Sequence, residues 1–486
     1  VDGHRGTALA LDRGRPADYR AALGSGCNRR RTQRETEHQQ RRVFGRPEAQ
    51  RGAAAPREGS DEARTARREN DGSGAIDLLG QALARHNMVA AWKRVKANKG
   101  SAGVDGRDVQ AAGEHLKHGW EDIRRQLIDG SYRPEPVRRV MLPKPDGGTR
   151  ELGIPTVVDR LIQQALLQVL QPLLDPTFSE HSHGFRPGRS AHGAVRQAQQ
   201  YVRAGYTTVV DVDLEKFFDR VNHDILMDRL SRRIADKAVL RLIRRYLEAG
   251  VMADGLVSQR TQGTPQGGPL SPLLANVLLD EVDRELERRG HRFVRYADDC
   301  NVYVKSQQAG ERVLRALRKC YAKLRLQVNE AKTAVAEVWN RKFLGYRLWR
   351  TREGDAALGV SKQAMAKVRD RIRELTGRMR GRSLDQIAQQ LRKQLQGWAA
   401  YYRLARDHLD LRQLEGWMRR RLRALQLKHW RQAPTVYREM RALGAAHDQA
   451  VKMAGSVGRW WCASRGAIQQ VMTVVYFDRL GVPRLC

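Results

Sequence analysis

Two short acidic patterns carry the residue types needed for metal-assisted phosphate chemistry. In FVRYADDCNVYV, alternating apolar residues flank Asp298 and Asp299, which predicts a β-hairpin with both acids at its tip. In YTTVVDVDLEKFFD, Asp211 and Asp213 are two residues apart on a predicted strand and project from one face. Such carboxylates suit Mg²⁺, and two ions about 4 Å apart can activate a 3′-hydroxyl and stabilise departing pyrophosphate. The combination indicates nucleotidyl transfer, although Asp is also a common turn former and neither pattern is specific alone.

A glycine-rich segment, TQGTPQGGPLSPLLANVLLDEVDREL, lies between these two patterns. Its turn from Thr264 to Gly268 is followed by prolines suited to the start of a helix and by an apolar stripe. Glycines allow a backbone to approach a ligand closely. An ordinary loop leading into a core helix explains the glycines equally well.

The charge of the chain indicates a polyanionic partner. Lys and Arg outnumber Asp and Glu by 89 to 54 in 486 residues, which gives a formal net charge of +35. No run of 18 apolar residues and no signal peptide is found, so nucleic acid is favoured over a membrane surface. The five cysteines are far apart and form no C-x-x-C pair, which argues against a disulfide framework and a zinc site and predicts a cytosolic protein.

The hydrophobic pattern divides the chain into unequal parts. Residues 1–74 show neither helical nor strand periodicity, which predicts a disordered, basic N-terminal extension that is either an RNA-binding arm or without a role. An ordered mixture of helices and strands follows, including a predicted hairpin with its turn at Pro145 to Gly148. From Lys362 onward the pattern is helical, with Ile387, Leu391 and Leu395 on one face.

The segment LRQLEGWMRRRLRALQLKHWRQ predicts a helix with two functions. Leu414, Trp417, Met418, Leu422 and Leu425 form an apolar face. The remaining surface carries four arginines, Arg419, Arg420, Arg421 and Arg423. A solvated charged face is the simpler interpretation, but four arginines beside aromatic residues favour contact with RNA.

The ordered motifs resemble those of reverse transcriptases encoded by bacterial group II introns. YADD is preceded by DVDLEKFFDRVNHDIL and GTPQGGPLSPLLAN, and the resemblance extends to KGSAGVDG, LPKPDGGTRELGIPT, GFRPGRSAH, LQVNEAKT, FLGY, GWAAYYR and GWMRRRLR. It covers roughly Leu78 to Leu485. It implies an RNA-directed DNA polymerase that uses two Mg²⁺ ions and dNTPs, and a maturase that assists the splicing of its intron RNA.

The resemblance also implies roles for individual residues. Asp213, Asp298 and Asp299 correspond to the catalytic, metal-binding aspartates, whereas Asp211 is not needed by the motif. Phe218 corresponds to the residue under the incoming sugar, where a bulky side chain excludes a 2′-hydroxyl, although a buried hydrophobic residue is the simpler interpretation. The nucleotide site would also include Gln266, Lys144 and Arg150. Lys and Arg on a hairpin are also often plain solvated charge.

The implied fold is an α+β right-hand polymerase. Fingers and palm would occupy residues 75–355, an α-helical thumb or maturase domain residues 356–430, and a small C-terminal DNA-binding domain residues 431–486. The sequence ends without the Cys-pair and His-rich endonuclease domain of many relatives. That ending resembles the class C subgroup, which would need another source of primer.

Three alternative functions follow from the same features. An RNA-binding splicing factor without polymerase activity is disfavoured by the intact aspartates. A domesticated reverse transcriptase in repair, phage defence or spacer acquisition would keep the enzyme and change its biological role. An RNA-dependent RNA polymerase conflicts with Phe218. The expected partners are group II intron RNA, an RNA template with a DNA primer, target DNA and dNTPs, with no membrane.

Overall fold

The architecture comes from a computed structural model of the chain. Within the described residues, no helix combines the length and apolar character needed to cross a bilayer. The predicted disordered extension, residues 1–74, lies outside the described residues. The structure describes residues 77–143, 148–253, 256–258, 261–264, 267–377 and 381–485.

The described residues form a mixture of helices and strands up to residue 360, and the regular elements after that residue are all helices. The helices are α1 (Leu78–Leu83), α2 (Arg85–Ala97), α3 (Val109–Asp129), α4 (Val157–Leu174), α5 (Ala191–Arg203), α6 (His223–Ser231), α7 (Lys237–Glu248), α8 (Ser271–Arg288), α9 (Gln307–Lys323), α10 (Lys362–Leu375), α11 (Leu384–Tyr401), α12 (His408–Trp430), α13 (Ala433–Ala442), α14 (His447–Ala454), α15 (Trp460–Ala463), α16 (Ile468–Val471) and α17 (Val474–Arg479). The strands are β1 (Val137–Pro143), β2 (Thr149–Ile154), β3 (Thr208–Val212), β4 (Val251–Ala253), β5 (Leu256–Ser258), β6 (Arg292–Tyr296), β7 (Asp299–Val304), β8 (Ala334–Glu337), β9 (Lys342–Phe343), β10 (Tyr346–Arg350) and β11 (Ala356–Val360).

The first sheet has the order β2-β1-β4-β5 and corresponds to the predicted fingers. Its β1–β2 pair is antiparallel, with Pro143 opposite Thr149, so the predicted hairpin is confirmed. The tip of that hairpin, residues 144–147, lies outside the described residues. Helix α4 packs beside this region and begins at an N-cap, Thr156, whose side chain accepts a hydrogen bond from the Asp159 N–H.

The second sheet, with the order β6-β7-β3-β8, corresponds to the predicted palm and separates two hydrophobic cores. Alternating residues of β3 point to opposite faces, so Val210 and Val212 join the core that contains α8 and α9. Val209 joins the other core, together with α5 and the C-terminal helices. The palm sheet is therefore packed against a hydrophobic core on each of its two faces.

A small sheet, β11-β10-β9, connects the palm to the helical region. Its strand β11 pairs with β10 along its whole length, so the helical domain predicted to begin at residue 356 begins after this strand, at Lys362. Helices α10, α11 and α12 lie within residues 356–430, for which the sequence predicts an α-helical domain. Buried residues of the segment after residue 431, including Met440, Met453 and Phe477, belong to the same core as those three helices.

A buried ion pair lies beneath the palm hairpin. The Arg295 guanidinium donates to Asp283 Oδ1 at 2.8 Å, and both residues are at most 1% exposed. Arg295 also donates to Asn276 Oδ1 and to the Ala297 carbonyl, each at 2.9 Å. The Asn276 amide in turn donates to the Gly184 carbonyl at 2.9 Å. The Arg295 and Asn276 side chains together join α8, β6 and the loop before α5.

We expect Arg295→Met to lower the free energy of unfolding by about 3–5 kcal/mol, because it leaves the Asp283 carboxylate buried without its partner. Urea unfolding followed by circular dichroism measures the change. Arg318→Gln is the matched control, because it removes an ion pair with Glu330 whose side chains are 43% and 62% exposed. Its cost should stay below about 1 kcal/mol. Equal costs for the two variants would contradict the structural role of Arg295.

Candidate active site

The register of the palm sheet brings the predicted acidic residues together. Strands β3 and β7 are antiparallel, with Val212 opposite Cys300, so Asp213 follows one residue beyond the last pair and lies beside Asp299. Strands β6 and β7 form the predicted hairpin, in which Tyr296 pairs with Asp299. Residues directly opposite each other in antiparallel strands share a face of the sheet. Asp213 and Asp299 therefore emerge on the same face, with Asp298 at the tip of the hairpin.

The tip of the hairpin is held in an uncommon backbone conformation. Ala297 has a φ of 59°, in the left-handed region that side chains disfavour. Its carbonyl accepts the hydrogen bond from Arg295 described above. On the other side, a Cβ added to Gly184 would lie 2.1 Å from the Ala297 nitrogen, so only glycine allows this close approach. The two contacts fix the turn that presents Asp298 and Asp299.

Negative charge accumulates at this end of the sheet. Part of Asp299 remains open to solvent, but partial removal of its carboxylate from water raises its pKa to about 7, and repulsion from Asp298, Asp211 and Asp213 contributes to the rise. A bound cation would relieve this repulsion. Within the described part of the chain, however, no group of three or more His, Cys, Asp or Glu side chains is arranged closely enough to hold a metal ion.

The LQVNEAKT segment supports Asp213, a role that the sequence interpretation did not assign. The Asn329 N–H donates to the Asp213 carbonyl at 2.8 Å, and the Asp213 N–H donates to Thr333 Oγ1 at 3.1 Å. The Lys332 ammonium lies 3.7 Å from Asp213 Oδ2. LQVNEAKT is one of the motifs that resemble the reverse transcriptase family, so the sequence indicated that the segment matters. The sequence did not indicate these contacts with Asp213.

Asp211 is engaged differently, although it shares the strand face of Asp213. Its Oδ2 accepts hydrogen bonds from Arg341 Nε at 2.9 Å and Nη2 at 2.6 Å. The Asn301 amide lies 3.0 Å from Asp211 Oδ1. The charge of Asp211 is therefore balanced by Arg341, and the prediction that the motif does not need Asp211 stays a prediction.

Phe218 lies next to the glycine-rich segment. Its ring is partly buried and meets Phe217 edge to face, with 5.1 Å between the ring centroids. The Phe218 carbonyl accepts a hydrogen bond from the Thr264 N–H at 2.7 Å. A Cβ added to Gly267, whose φ is 135°, would lie 2.6 Å from the Gly153 carbonyl. The segment thus runs between Phe218 and the fingers sheet.

Of the remaining predicted nucleotide-binding residues, the structure describes only the backbone of Arg150. Gln266 and Lys144 lie outside the described residues. The backbone of Arg150 belongs to β2 and pairs with Leu142 near the tip of the fingers hairpin. Their roles at the nucleotide remain predictions.

Arg419 is paired within α12, whereas Arg420, Arg421 and Arg423 contact other parts of the protein. Arg419 Nη1 lies 3.1 Å from Glu415 Oε2, and the Arg420 guanidinium lies 3.8 Å from the centroid of the Trp461 ring. Arg421 Nε donates to Thr376 Oγ1 at 2.7 Å, and Arg423 Nε donates to the Met472 carbonyl at 3.0 Å.

Arg423 is the clearest difference from the prediction of an arginine surface. It is only 7% exposed, and burial lowers its pKa to about 10. The prediction that it lies on an open face is wrong, because the segment after residue 431 folds back over that side of α12. Arg419, Arg420 and Arg421 are half-buried, and RNA contact by them stays a prediction.

Two family models match the chain in consecutive regions. The reverse transcriptase (RNA-dependent DNA polymerase) model matches residues 142–348, which include the palm hairpin and Asp213. The group II intron, maturase-specific domain model matches residues 365–444, which include α10, α11 and α12.

Two curated relatives match part of the chain. Protein YkfC of Escherichia coli (strain K12) is 34% identical over 292 residues, which cover 51% of this chain and 76% of YkfC. Group II intron-encoded protein LtrA of Lactococcus lactis subsp. cremoris is 37% identical over 198 residues, which cover 40% of this chain and 32% of LtrA. The match therefore spans about a third of LtrA.

Among solved structures, a chain titled as part of a partial Cas6-RT-Cas1–Cas2 complex is 28% identical, with a TM-score of 0.34, and the match covers 51% of this chain and 42% of that one. The family models and the curated relatives show that the chain belongs to the family of group II intron-encoded reverse transcriptases and maturases.

Proposed function

We propose that the protein is an RNA-directed DNA polymerase that extends a primer 3′-end along an RNA template. The observation that carries this proposal is the register that places Asp213 beside the Asp298–Asp299 turn, within the region matched by the reverse transcriptase model. Three carboxylates at one end of the palm sheet suit the transfer of a nucleotidyl group better than a purely structural role, since charges of one sign are otherwise costly to hold together.

Two Mg²⁺ ions are the proposed cofactors, held by Asp213, Asp298 and Asp299. The donor set is made of hard carboxylate oxygens. The pKa of Asp299 is raised by partial burial and by repulsion from Asp298, Asp211 and Asp213, and a divalent cation would offset that repulsion. When bound, the metal would activate the primer hydroxyl and stabilise the departing pyrophosphate.

The chain's own residues would orient the reactants. Lys332, beside the Asp213 carboxylate, would limit the repulsion among the acids. Phe218 would lie under the incoming sugar, and its ring would leave no space for a 2′-hydroxyl. Lys144, Arg150 and Gln266 are the proposed contacts to the nucleotide, with the two cations facing the triphosphate.

The proposed biological substrate is a group II intron RNA. The maturase-specific match over residues 365–444 supports RNA binding by the helical region and assistance to splicing. Copying the intron RNA into cDNA at a target DNA site during retrohoming would combine both activities. The DNA-binding role of residues 431–486 also remains a proposal.

Two alternative functions each retain one of the two proposed activities, RNA binding or polymerisation. A splicing factor without polymerase activity would bind intron RNA and leave the carboxylates unused. A domesticated reverse transcriptase in repair or phage defence would polymerise without an intron partner. The same extension assay that tests catalysis separates the first alternative from the second.

We expect Asp298→Ala combined with Asp299→Ala to reduce primer extension by at least about 1,000-fold, because the substitutions remove most of the metal-binding carboxylate. The assay is extension of oligo(dT) on poly(rA) with dTTP and Mg²⁺, together with RNA binding by the same samples. Affinity for RNA should change little.

Asp211→Asn is the matched control, since Asp211 lies on the same strand face but is paired with Arg341. It should retain extension within about tenfold, provided that thermal unfolding shows a folded protein. Tight RNA binding without any extension by the intact chain would favour the splicing factor. Extension that survives the double substitution would refute the proposed active site.

Phe218→Ala should weaken discrimination against ribonucleotides. Removing the ring would open space for the 2′-hydroxyl, so the ratio of kcat/KM for dTTP to that for UTP should fall by at least about tenfold. Steady-state incorporation on the same template measures the ratio. An unchanged ratio in a folded variant would indicate that Phe218 is only a packing residue beside Phe217.

A further inference from the structure

A basic cavity lies at the end of the palm hairpin remote from the catalytic turn. We call it the distal palm pocket, and its volume is about 450 Å³. The pocket is bounded by the end of α8, the start of β6, the end of β7 and the first turns of α9. It is defined here by Tyr206, Arg289, His291, Arg292, Lys305 and Arg312.

The pocket is separate from the proposed active site. Strand β7 runs from Asp299 to Val304, and Lys305 follows it. Six residues of extended chain span about 20 Å. Arg292 lies at the start of β6, opposite Tyr303, whereas Tyr296 at the other end of β6 pairs with Asp299. A ligand in this pocket would therefore not occupy the position of the primer end.

The charge of the pocket is positive and largely uncompensated. No Asp or Glu lines it among the described residues. Arg289 is paired with Glu285 at 2.5 Å. Three basic residues of the pocket, Arg292, Lys305 and Arg312, are exposed. None of them forms an ion pair within the described part of the chain. Basic side chains gathered without acidic partners repel each other and favour a bound anion.

Two further features suit a phosphate on a nucleic acid strand. The Lys305 ammonium lies 5.5 Å from the centroid of the Tyr206 ring, which holds it at the wall of the pocket. The first turn of α9, where Ala309 lines the pocket, adds the positive end of a 17-residue helix. The exposed residues Arg315 and Lys319 continue along α9 from Arg312 over about 10 Å.

We propose that the distal palm pocket binds a phosphate of a single-stranded or looped RNA segment and anchors RNA outside the template–primer cleft. A row of cations that continues beyond the cavity fits a polyanion better than a small free anion. The concave shape fits an unpaired segment, whose backbone can enter a cavity, better than a regular duplex. This inference rests on the proposed function, because it takes RNA as the partner.

The test is a triple variant of the full chain, Arg292→Gln, Lys305→Gln and Arg312→Gln. Its binding to a labelled RNA hairpin with unpaired flanks is measured while an excess of a short RNA–DNA heteroduplex with a recessed 3′-end occupies the catalytic cleft. Affinity should fall by at least about tenfold, and the slope of log K against log salt should become shallower by about two. Extension of the recessed primer should be retained.

The matched control is Lys117→Gln, Arg125→Gln and Arg232→Gln, which changes the net charge equally at exposed residues that are ion-paired with Glu114, Asp122 and Asp228. It should leave hairpin affinity within about threefold of the intact chain. Equal losses of hairpin affinity in both triple variants would show that the effect comes from long-range charge alone. That result would overturn the proposal that the distal palm pocket binds RNA.

Failure of the inference and failure of the proposed function give different results. Normal primer extension with unchanged hairpin binding by the pocket variant would overturn the pocket alone. Loss of extension together with hairpin binding in that variant would make the pocket part of the template cleft and would also overturn the inference. An intact chain that neither extends primers nor binds RNA would refute both.

Discussion

The buried Arg295 guanidinium is the interaction on which the presentation of the catalytic turn depends. Carboxylates held side by side repel each other, so a flexible hairpin would separate them. Arg295 prevents this from below, because it binds Asp283 on α8 and the Ala297 carbonyl at the tip. The close approach of Gly184 restricts the turn from its other side. The buried Arg295–Asp283 ion pair therefore positions Asp298 and Asp299, which must remain accessible to solvent.

Three acids at this end of the palm have different electrostatic environments. Asp211 is balanced by Arg341, which comes from the connection between the palm and the small sheet. Asp213 has a more distant cation, Lys332. Partial burial of the Asp299 carboxylate, together with repulsion from its acidic neighbours, raises the pKa of Asp299. Arg341 and Lys332 lie far from β3 in the sequence. They give Asp211 and Asp213 different environments, although strand alternation alone would make these two residues equivalent.

Local patterns predicted the elements that carry the site. Strand alternation was sufficient for the hairpin around Asp298, and the proline after the glycine-rich turn was sufficient for the start of α8. Contacts between distant segments were not predictable in this way. The pairing of Asp211 with Arg341 spans 130 residues. The burial of Arg423 was missed because helical periodicity identifies one packed face, whereas α12 is covered on a second side by the segment that follows it.

That second covering has a consequence for how the chain can be divided. Residues on α10, α11 and α12 share one hydrophobic core with Met440, Met453 and Phe477, and Val209 of the palm sheet reaches the same core. A boundary drawn at residue 431 separates sequence motifs but cuts through a single packed interior. Exchange of the last segment between relatives would therefore succeed only when the complementary surface of α12 is exchanged with it, so the two would be inherited as one unit.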